Sequence, residues 1–309
     1  MIGKPYRAIC SIIAALTALV CSSSGQIPTP HAWLGGSAVN NPLLTVGGGT
    51  CGGCSGFGGN EVATVEAYNP VSNLWSTKAS LQSPRFGLTA SASNGTVDAI
   101  GGTLGFFSTP LSTVEAYDPG SNTWSPKSGM PTARWRLTSS TVNGIIYAIA
   151  GGNSGNQNLS TATVEAYDPV ADAWTTKSPM PTARWGLVSA AINSSLYVVG
   201  GFTGVPSATL FPVLEVYDTT SDTWSTGASM PTPRMDLASV AVNGKLYAIG
   251  GWDTQNQKAL QVIEAYDRAS DTWATKSPMP TPRSGLDAVA INGKIYAFGG
   301  DAEAKVLVE

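Results

Sequence analysis

The side chains able to do redox or metal chemistry are few in this chain of 309 residues. It has a single histidine, His31, and four cysteines, of which Cys51 and Cys54 form a Cys-x-x-Cys pair in a glycine-rich stretch. Structural zinc takes about four ligands, more than this pair and His31 supply. A redox pair of this spacing usually lies at a helix start, which the pattern lacks. We therefore expect a disulfide between Cys51 and Cys54, formed in an oxidising compartment, and neither a metal nor a cofactor.

The arginines are the next candidates for chemistry, because five of the eight occupy one repeated position. These five are Arg85, Arg134, Arg184, Arg234 and Arg283, and the glutamates that recur with the repeat are Glu66, Glu115, Glu165, Glu215 and Glu264. A substrate needs one or two such groups, so an arginine in every repeat indicates architecture, with each arginine paired to a carboxylate or carbonyl between strands. A Ser-His-Asp triad would depend on His31 alone, and no nucleophile-elbow motif supports it. We predict no catalytic residue.

These residues recur because the chain is a tandem repeat of about fifty residues. Successive units share a tryptophan, a segment like Val-Glu-Ala-Tyr, a glycine pair and a turn before the arginine. The repeated tryptophans are Trp75, Trp124, Trp174, Trp224 and Trp273. An Asn-Gly dipeptide, which favours tight hairpin turns, separates segments rich in strand-forming residues. Each unit is predicted to form four antiparallel strands, so the chain is predicted to be all-β.

The repeat resembles the kelch repeat, with P-R-x-x-L, N-G-x-Ψ-Y-A-Ψ-G-G, V-E-A-Y-D-P, N-T-W and M-P in this order, where Ψ is apolar. The resemblance covers nearly all of residues 28–309. It implies a kelch-type β-propeller of about six four-stranded blades, the last one incomplete. The expected blades are residues 28–82, 83–131, 132–181, 182–231, 232–280 and 281–309. The short last unit suggests a fragment, and Asp98 departs from the pattern by replacing a tyrosine.

The resemblance also implies where a ligand binds, because loops at one mouth of kelch propellers generally contact the partner. Positions just after the repeat arginine are Phe86, Trp135, Arg136, Trp185, Met235, Asp236 and Ser284; positions just after the glycine pair are Thr103, Asn153, Phe202, Trp252 and Asp301. Trp135, Trp185 and Trp252 are not required by the repeat, so they are candidates for stacking on a sugar or peptide. The alternative is that they fill the wide end of the central channel.

Two functions fit this mouth. The first is a binding module for a protein or glycan, which we favour. The second is a carbohydrate-active enzyme of the sialic-acid epimerase or mutarotase type, with Arg136, Asp236 and Asp301 supplying an acid/base pair and a carboxylate-binding arginine. Copper chemistry of the galactose-oxidase type needs two histidines, so the single His31 excludes it. An enzyme should show a carboxylate of strongly perturbed pKa in a closed pocket.

Residues 1–25 have the layout of a secretory signal peptide, with Lys4 and Arg7 before an apolar run over residues 9–20 and small residues after it. A secreted or periplasmic protein is expected. Cys21 raises a lipid anchor as an alternative, but the bulky Val20 before it argues against this. Charged residues are 12% and the net charge is −3, which excludes nucleic acid as a partner. No second apolar run is long enough to span a membrane, and we expect a monomer.

Overall fold

The computed structural model of the protein describes residues 9–13, 19–22, 27–39, 41–50, 60–105, 108–154, 159–204 and 209–301. Every regular element in these ranges is a β-strand, which confirms the all-β prediction. This part of the chain contains no helix with the length and apolar character needed to cross a membrane.

The strands fall into consecutive groups along the chain. Two N-terminal strands come first, β1 (Ile9–Ile13) and β2 (Leu19–Ser22). The first blade contains β3 (Gly35–Ala38), β4 (Leu43–Val46), the short pair β5 (Gly49–Thr50) and β6 (Asn60–Glu61), then β7 (Val65–Asn69) and β8 (Leu74–Lys78). The second blade contains β9 (Thr89–Ser93), β10 (Thr96–Ile100), β11 (Val114–Asp118) and β12 (Thr123–Lys127). The third contains β13 (Thr138–Val142), β14 (Ile145–Ile149), β15 (Val164–Asp168) and β16 (Ala173–Lys177).

The fourth blade contains β17 (Trp185–Ile192), β18 (Ser195–Phe202), β19 (Leu214–Asp218) and β20 (Thr223–Gly227). The fifth contains β21 (Ala238–Val242), β22 (Lys245–Ile249), the short pair β23 (Trp252–Asp253) and β24 (Lys258–Ala259), then β25 (Ile263–Asp267) and β26 (Thr272–Lys276). The last repeat supplies β27 (Ser284–Ile291) and β28 (Lys294–Asp301). In each of the five blades the four main strands pair antiparallel in chain order.

Tight turns join the first and second strands of a blade. In the second blade, Asn94 and Gly95 have φ angles of 50° and 86°, and in the third blade Asn143 and Gly144 have φ angles of 51° and 81°. Two positive φ angles in a row match the twist of a two-residue hairpin, and asparagine and glycine adopt them at least cost. The Asn-Gly dipeptides therefore set the hairpin register at this end of these two blades.

The sixth sheet is assembled differently, and it corrects the expected count of about six blades. Among the described residues the last repeat supplies β27 and β28 alone, so five blades, not six, are built entirely by the repeats. Strands β1 and β2 complete this sheet in the order β2-β1-β28-β27. Both strands lie in the segment interpreted as a signal peptide, and that interpretation stays a prediction.

A closed circuit of backbone hydrogen bonds joins all six repeats around the central axis. It runs through the second residue after each repeat arginine or its equivalent, which we call the central ring: Trp33, Gly87, Arg136, Gly186, Asp236 and Gly285. Each of these amides donates to the carbonyl of the preceding ring member at 2.6–3.0 Å. All six residues have φ angles between 47° and 65°, so their backbones share one left-handed conformation. The innermost strands contact one another in the same circular order.

The outer edges of neighbouring blades are joined by a second repeated contact, the outer staple. In it, the indole nitrogen of a fourth-strand tryptophan donates to a carbonyl just after the fourth strand of the preceding blade. The amide of that same residue donates to an Asn or Asp in the turn before the tryptophan. The indole bonds are Trp124 to Ala79, Trp174 to Ser128, Trp224 to Ser178 and Trp273 to Ala228, at 2.7–3.0 Å. The amide bonds are Ala79 to Asn122, Ser128 to Asp172, Ser178 to Asp222 and Ala228 to Asp271.

The core lies between the blades. Ile149 and Val164 of the third blade pack in one cluster with Leu187 and Leu196 of the fourth. Similar clusters fill the other five blade interfaces. Because each sheet buries both faces against its neighbours, no blade is stable alone, and the ring is the folding unit.

Candidate functional site

The repeat arginines pair with the repeat glutamates inside each of four blades. The ion pairs are Arg85–Glu115 at 2.9 Å, Arg134–Glu165 at 2.7 Å, Arg184–Glu215 at 2.9 Å and Arg234–Glu264 at 2.6 Å. Their side chains are at most 2% exposed, so they do not meet a ligand from solvent. This confirms the prediction that these arginines serve the architecture.

The first repeat uses His31 in place of the arginine. His31 is buried, and burial lowers its pKa to about 4, so it is neutral at physiological pH. Glu66, the glutamate of this blade, accepts hydrogen bonds from the amide and hydroxyl of Thr29. Without a repeat arginine beside it, burial raises the pKa of Glu66. In the last repeat, Arg283 donates to the carbonyl of Gly299 at 2.7 Å.

Antiparallel pairing divides the ring into two faces. The connections between second and third strands, and those between blades, lie at one end of the strands, which we call the loop face. The turns between first and second strands and between third and fourth strands lie at the other end, the hairpin face. Every mouth residue singled out in the sequence belongs to a segment on the loop face.

The central channel is closed on the loop face by five side chains that we call the central plug: Trp33, Trp135, Arg136, Trp185 and Asp236. The guanidinium carbon of Arg136 lies 5.1 Å from the ring centre of Trp33 and 4.9 Å from those of Trp135 and Trp185. Such cation–π contacts are strengthened by exclusion of water. The plug is therefore a packed cluster rather than an open aromatic rim.

Charge inside the plug is balanced by one ion pair. Nη1 of Arg136 lies 3.3 Å from Oδ2 of Asp236, and Trp33 Nε1 donates to the same oxygen at 3.4 Å. Burial raises the pKa of Asp236, and the Arg136 charge opposes this rise. Burial lowers the pKa of Arg136, opposed in turn by Asp236. Each charge is thus stabilised chiefly by the other, and removal of either leaves a buried charge.

The three candidate stacking tryptophans are buried. Trp135 and Trp185 are 2% exposed and Trp252 is 1% exposed. Trp185 and Trp252 pack in one cluster with Met235 and Phe202. Their ring faces contact protein, as in the channel-filling alternative, and their assignment to ligand binding stays a prediction.

The other mouth residues are distributed between this core and the surface. Phe86, Thr103 and Ser284 are buried, whereas Asn153 is exposed and Asp301 is half-buried. The predicted cysteine pair, Cys51 and Cys54, lies outside the described residues.

A residue that the sequence analysis did not select, Asp287, lines the channel below the plug. The channel holds a cavity of about 180 Å³ lined by Arg136, Asp236, Asp287 and several hydroxyl side chains. Burial raises the pKa of Asp287 to about 7, although the amides of Gly36 and Ala288 donate to its carboxylate. The sequence does contain a feature that could have identified this residue: Asp287 is charged where the other repeats carry small or apolar residues.

Two exposed leucines on the loop face were also missed. Leu104 is 49% exposed and Leu159 is 59% exposed, and each follows a glycine pair in the connection to a third strand. Across the part of the chain that the structure describes, no group of three His, Cys, Asp or Glu side chains is placed to hold a metal.

The circular array of four-stranded blades, with a buried arginine–glutamate pair in each of four blades, defines the class of protein as a kelch-type β-propeller. Comparison with known proteins agrees. A family model described as "KLHDC2/KLHL20/DRC7 Kelch-repeats domain" matches residues 152–300, and a model of the Kelch motif matches residues 50–82 and 84–131. The chain belongs to the kelch-repeat family.

A solved structure described as "Structure of YjhT" is similar to this protein. The two share 15% sequence identity with a TM-score of 0.75, over 90% of this chain and 93% of the other. At this identity the likeness shows the fold alone. No curated protein matched the sequence.

Proposed function

We propose that this propeller is a secreted or periplasmic binding module that recognises a protein or glycan through its loop face. The supporting observation is the location of the segments in which the repeats differ in sequence. The turns between first and second strands repeat nearly unchanged, whereas the segments between second and third strands, whose described ends lie on the loop face, differ in sequence: residues 103–113, 153–163, 202–213 and 252–262. A rigid scaffold that carries variable loops on one face is a common arrangement for recognition.

The central plug supports binding rather than catalysis. Arg136 and Asp236 neutralise each other under a layer of indole rings, so the plug presents a closed floor beneath the loops. Above this floor, the exposed Leu104 and Leu159 supply apolar surface for contact. Exposed apolar residues also occur singly on ordinary surfaces, so the test compares the two faces.

The test is an array of glycans and peptides probed with the full chain and two double variants. Leu104→Ser with Leu159→Ser alters the loop face. The control, Val71→Ser with Val170→Ser, removes apolar side chains of 84% and 82% exposure from the hairpin face. We expect the first variant to lose the array signal and the control to keep it. Equal loss in both variants, or no loss in either, would contradict binding through the loop face.

The second candidate, an epimerase or mutarotase of the sialic-acid type, is favoured by one observation. Asp287, with its pKa raised to about 7, shares a cavity with Arg136 and Asp236, and general acid–base groups work best near the operating pH. Asp301, the other predicted acid, does not line this cavity. NMR exchange spectroscopy of N-acetylneuraminate anomers separates the two functions. Acceleration by the protein that Asp287→Asn abolishes would favour the enzyme; an unchanged rate is expected for the binding module.

A further inference from the structure

A groove between the fourth and fifth blades has charged residues on both of its sides. Asp218 and Gly227 of the fourth blade line one side, and Tyr266, Arg268 and Asp271 of the fifth line the other. Its volume is about 440 Å³, and small-molecule sites usually measure about 300–1,000 Å³. None of its lining residues lies in a connection on the loop face, so the groove is separate from the surface of the proposed function.

The groove exists because the fourth blade departs from the repeat at the end of its last strand. Gly227 stands where the other four repeat-built blades carry a lysine: Lys78, Lys127, Lys177 and Lys276. A Cβ atom on Gly227 would lie 2.9 Å from the hydroxyl of Tyr266 and 3.2 Å from Oδ1 of Asp271. The groove therefore opens at the point where a lysine side chain would start.

In another blade this lysine supplies positive charge to the blade that follows. The hydroxyl of Tyr167 lowers the pKa of Asp172 most, and the charge of Lys127 lowers it further. Asp271 is the equivalent of Asp172 in the fifth blade, and Gly227 has no charge to offer it. Asp271 forms no ion pair with any described residue.

The second carboxylate of the groove, Asp218, also has no lysine beside it. In the fifth blade, Nζ of Lys245 lies 2.6 Å from Oδ2 of Asp267. In the fourth blade, Ser195 lies opposite Asp218 in the same register, so a hydroxyl replaces the ammonium group. Like Asp271, Asp218 forms no ion pair within the described part of the chain.

Arg268 is the cationic residue that lines the groove, and it is a second departure from the repeat. Other blades have a proline or a threonine at this position: Pro70, Pro119, Pro169 and Thr219. Burial raises the pKa values of Tyr197 and Tyr266, and the charge of Arg268 opposes both rises. The guanidinium therefore lies near these two hydroxyls, and it forms no ion pair with a described residue.

We propose that this groove binds a free basic amino acid of the lysine type. Two carboxylates and one guanidinium line the groove, and lysine carries two ammonium groups and one carboxylate, so the charges match in number and are opposite in sign. The ammonium groups bind Asp218 and Asp271, where other blades place lysine side chains. The ligand carboxylate binds Arg268, because a guanidinium fits a carboxylate through two parallel hydrogen bonds.

Three ligands test the proposal: L-lysine, cadaverine, which lacks the carboxylate, and Nε-acetyl-lysine, which lacks one ammonium charge. Each is titrated into the full chain, and the NMR amide resonance of Gly227 gives the Kd. We expect the other two ligands to bind about tenfold more weakly than lysine, since each loses one charge-assisted contact. Equal affinity for all three, or no saturable shift up to about 10 mM lysine, would overturn the proposal.

Variants of the chain identify the contacts. Arg268→Thr, which introduces the residue of the fourth blade, should weaken lysine binding about tenfold and leave cadaverine binding unchanged. Asp218→Asn should weaken the binding of both ligands. It should keep the turn, because Asn69 accepts the same amide bonds in the first blade. Gly227→Lys should abolish binding of both ligands, because the lysine of the repeat then fills the groove.

The matched control is Asp118→Asn, the same change in the second blade, which should leave the Kd for lysine unchanged. If Gly227→Lys does not fold, Arg268→Thr and Asp218→Asn decide, since both alter residues at the edge of a turn. An unchanged Kd for lysine in Arg268→Thr, or equal weakening by Asp118→Asn and Asp218→Asn, would show that the ligand does not occupy this groove.

Discussion

At the residue scale, the arginine–glutamate pairs differ in kind from the charged pairs on the surface. Arg134 and Glu165 are at most 2% exposed, and Arg134 also donates to the carbonyls of Ala148, Ala150 and Thr163. These bonds tie the end of the second strand to the start of the third within one blade, and Nε also donates to the carbonyl of Thr132. A buried pair is costly to break because the remaining charge has lost its water.

We predict that Arg134→Met lowers the free energy of unfolding by about 3–5 kcal/mol, since Glu165 would remain buried and charged. The matched control is Lys245→Met, which breaks the Lys245–Asp267 pair, whose side chains are 44% and 35% exposed. That loss should be much smaller, because water already screens an exposed ion pair. Urea denaturation of both variants measures the difference, and Arg134→Met with Glu165→Leu should recover much of the stability. Equal losses in the two single variants would contradict this account.

Asp98 makes stability depend on pH in a way that the usual tyrosine at this repeat position would not. It is fully buried, and burial raises its pKa to about 6, with Lys127 opposing and Asp172 assisting the rise. The folded state therefore holds a proton that the unfolded state releases near pH 4. The contribution of Asp98 to stability falls as pH rises from about 4 to 6, by on the order of 3 kcal/mol. Above about pH 6, the loss of stability caused by the buried, charged Asp98 carboxylate does not grow further.

The variant Asp98→Asn should remove this slope, because asparagine does not ionise. Chemical denaturation of both proteins at pH 4.5 and pH 7.5 should show the smaller pH-dependent change in the variant. Asp98→Tyr restores the repeat residue found at Tyr147 and Tyr197 and should also remove it. Parallel pH profiles for all three proteins would show that Asp98 does not titrate as described.

At the element scale, the outer staples explain why the fourth strands stay attached although they are the most exposed strands of each blade. Trp174 stacks on Tyr167 with ring centres 4.8 Å apart and bonds the carbonyl of Ser128 at 2.8 Å. Trp75 packs against Tyr68 in a tilted arrangement with ring centres 5.3 Å apart, but its indole has no such acceptor among the described residues. The two tryptophans therefore occupy equivalent positions in their blades. Among the described residues, only Trp174 has the indole hydrogen bond.

A comparison of variants at Trp174 and Trp75 measures what the staple hydrogen bond contributes to stability. Trp174→Phe should destabilise the protein by about 1 kcal/mol more than Trp75→Phe, because the second change removes a donor that has no acceptor among the described residues. Thermal or urea unfolding of the two variants, compared with the unmodified chain, gives the difference. A larger loss for Trp75→Phe would exclude the staple as a stabilising bond.

At the scale of the whole molecule, the sequence repeats predicted the four-stranded blades. They did not predict how the two ends of the chain close the ring. Periodic markers such as Trp124 and Asn143 act within a blade or between sequence neighbours, so spacing alone indicates their role. The burial of Trp135 and Trp185 depends on Arg136 and Asp236 meeting across the ring, which one repeat does not encode. Strands β1 and β2, from the start of the chain, pair with the last repeat in the sixth sheet. No local sequence pattern indicates this pairing.

The closing interface, between the sixth sheet and the first blade, should open before the others. The staple contact of Trp75 is missing there among the described residues, and β28 pairs with β1 from the other end of the chain rather than with a strand of its own repeat. Hydrogen exchange followed by mass spectrometry should show faster exchange in β28 than in β14 or β18, because local opening precedes global unfolding. Uniform protection of all second strands would contradict a weak closing interface.

The central ring has a consequence for how such chains evolve. Its six amide-to-carbonyl bonds all run the same way around the axis, so the circuit is complete only when the number of units fits its curvature. Tandem duplication in a gene changes copy number easily, yet an added or deleted unit would interrupt this circuit at the junction. Stereochemistry at the axis therefore limits the copy number that unequal recombination can leave in a functional gene.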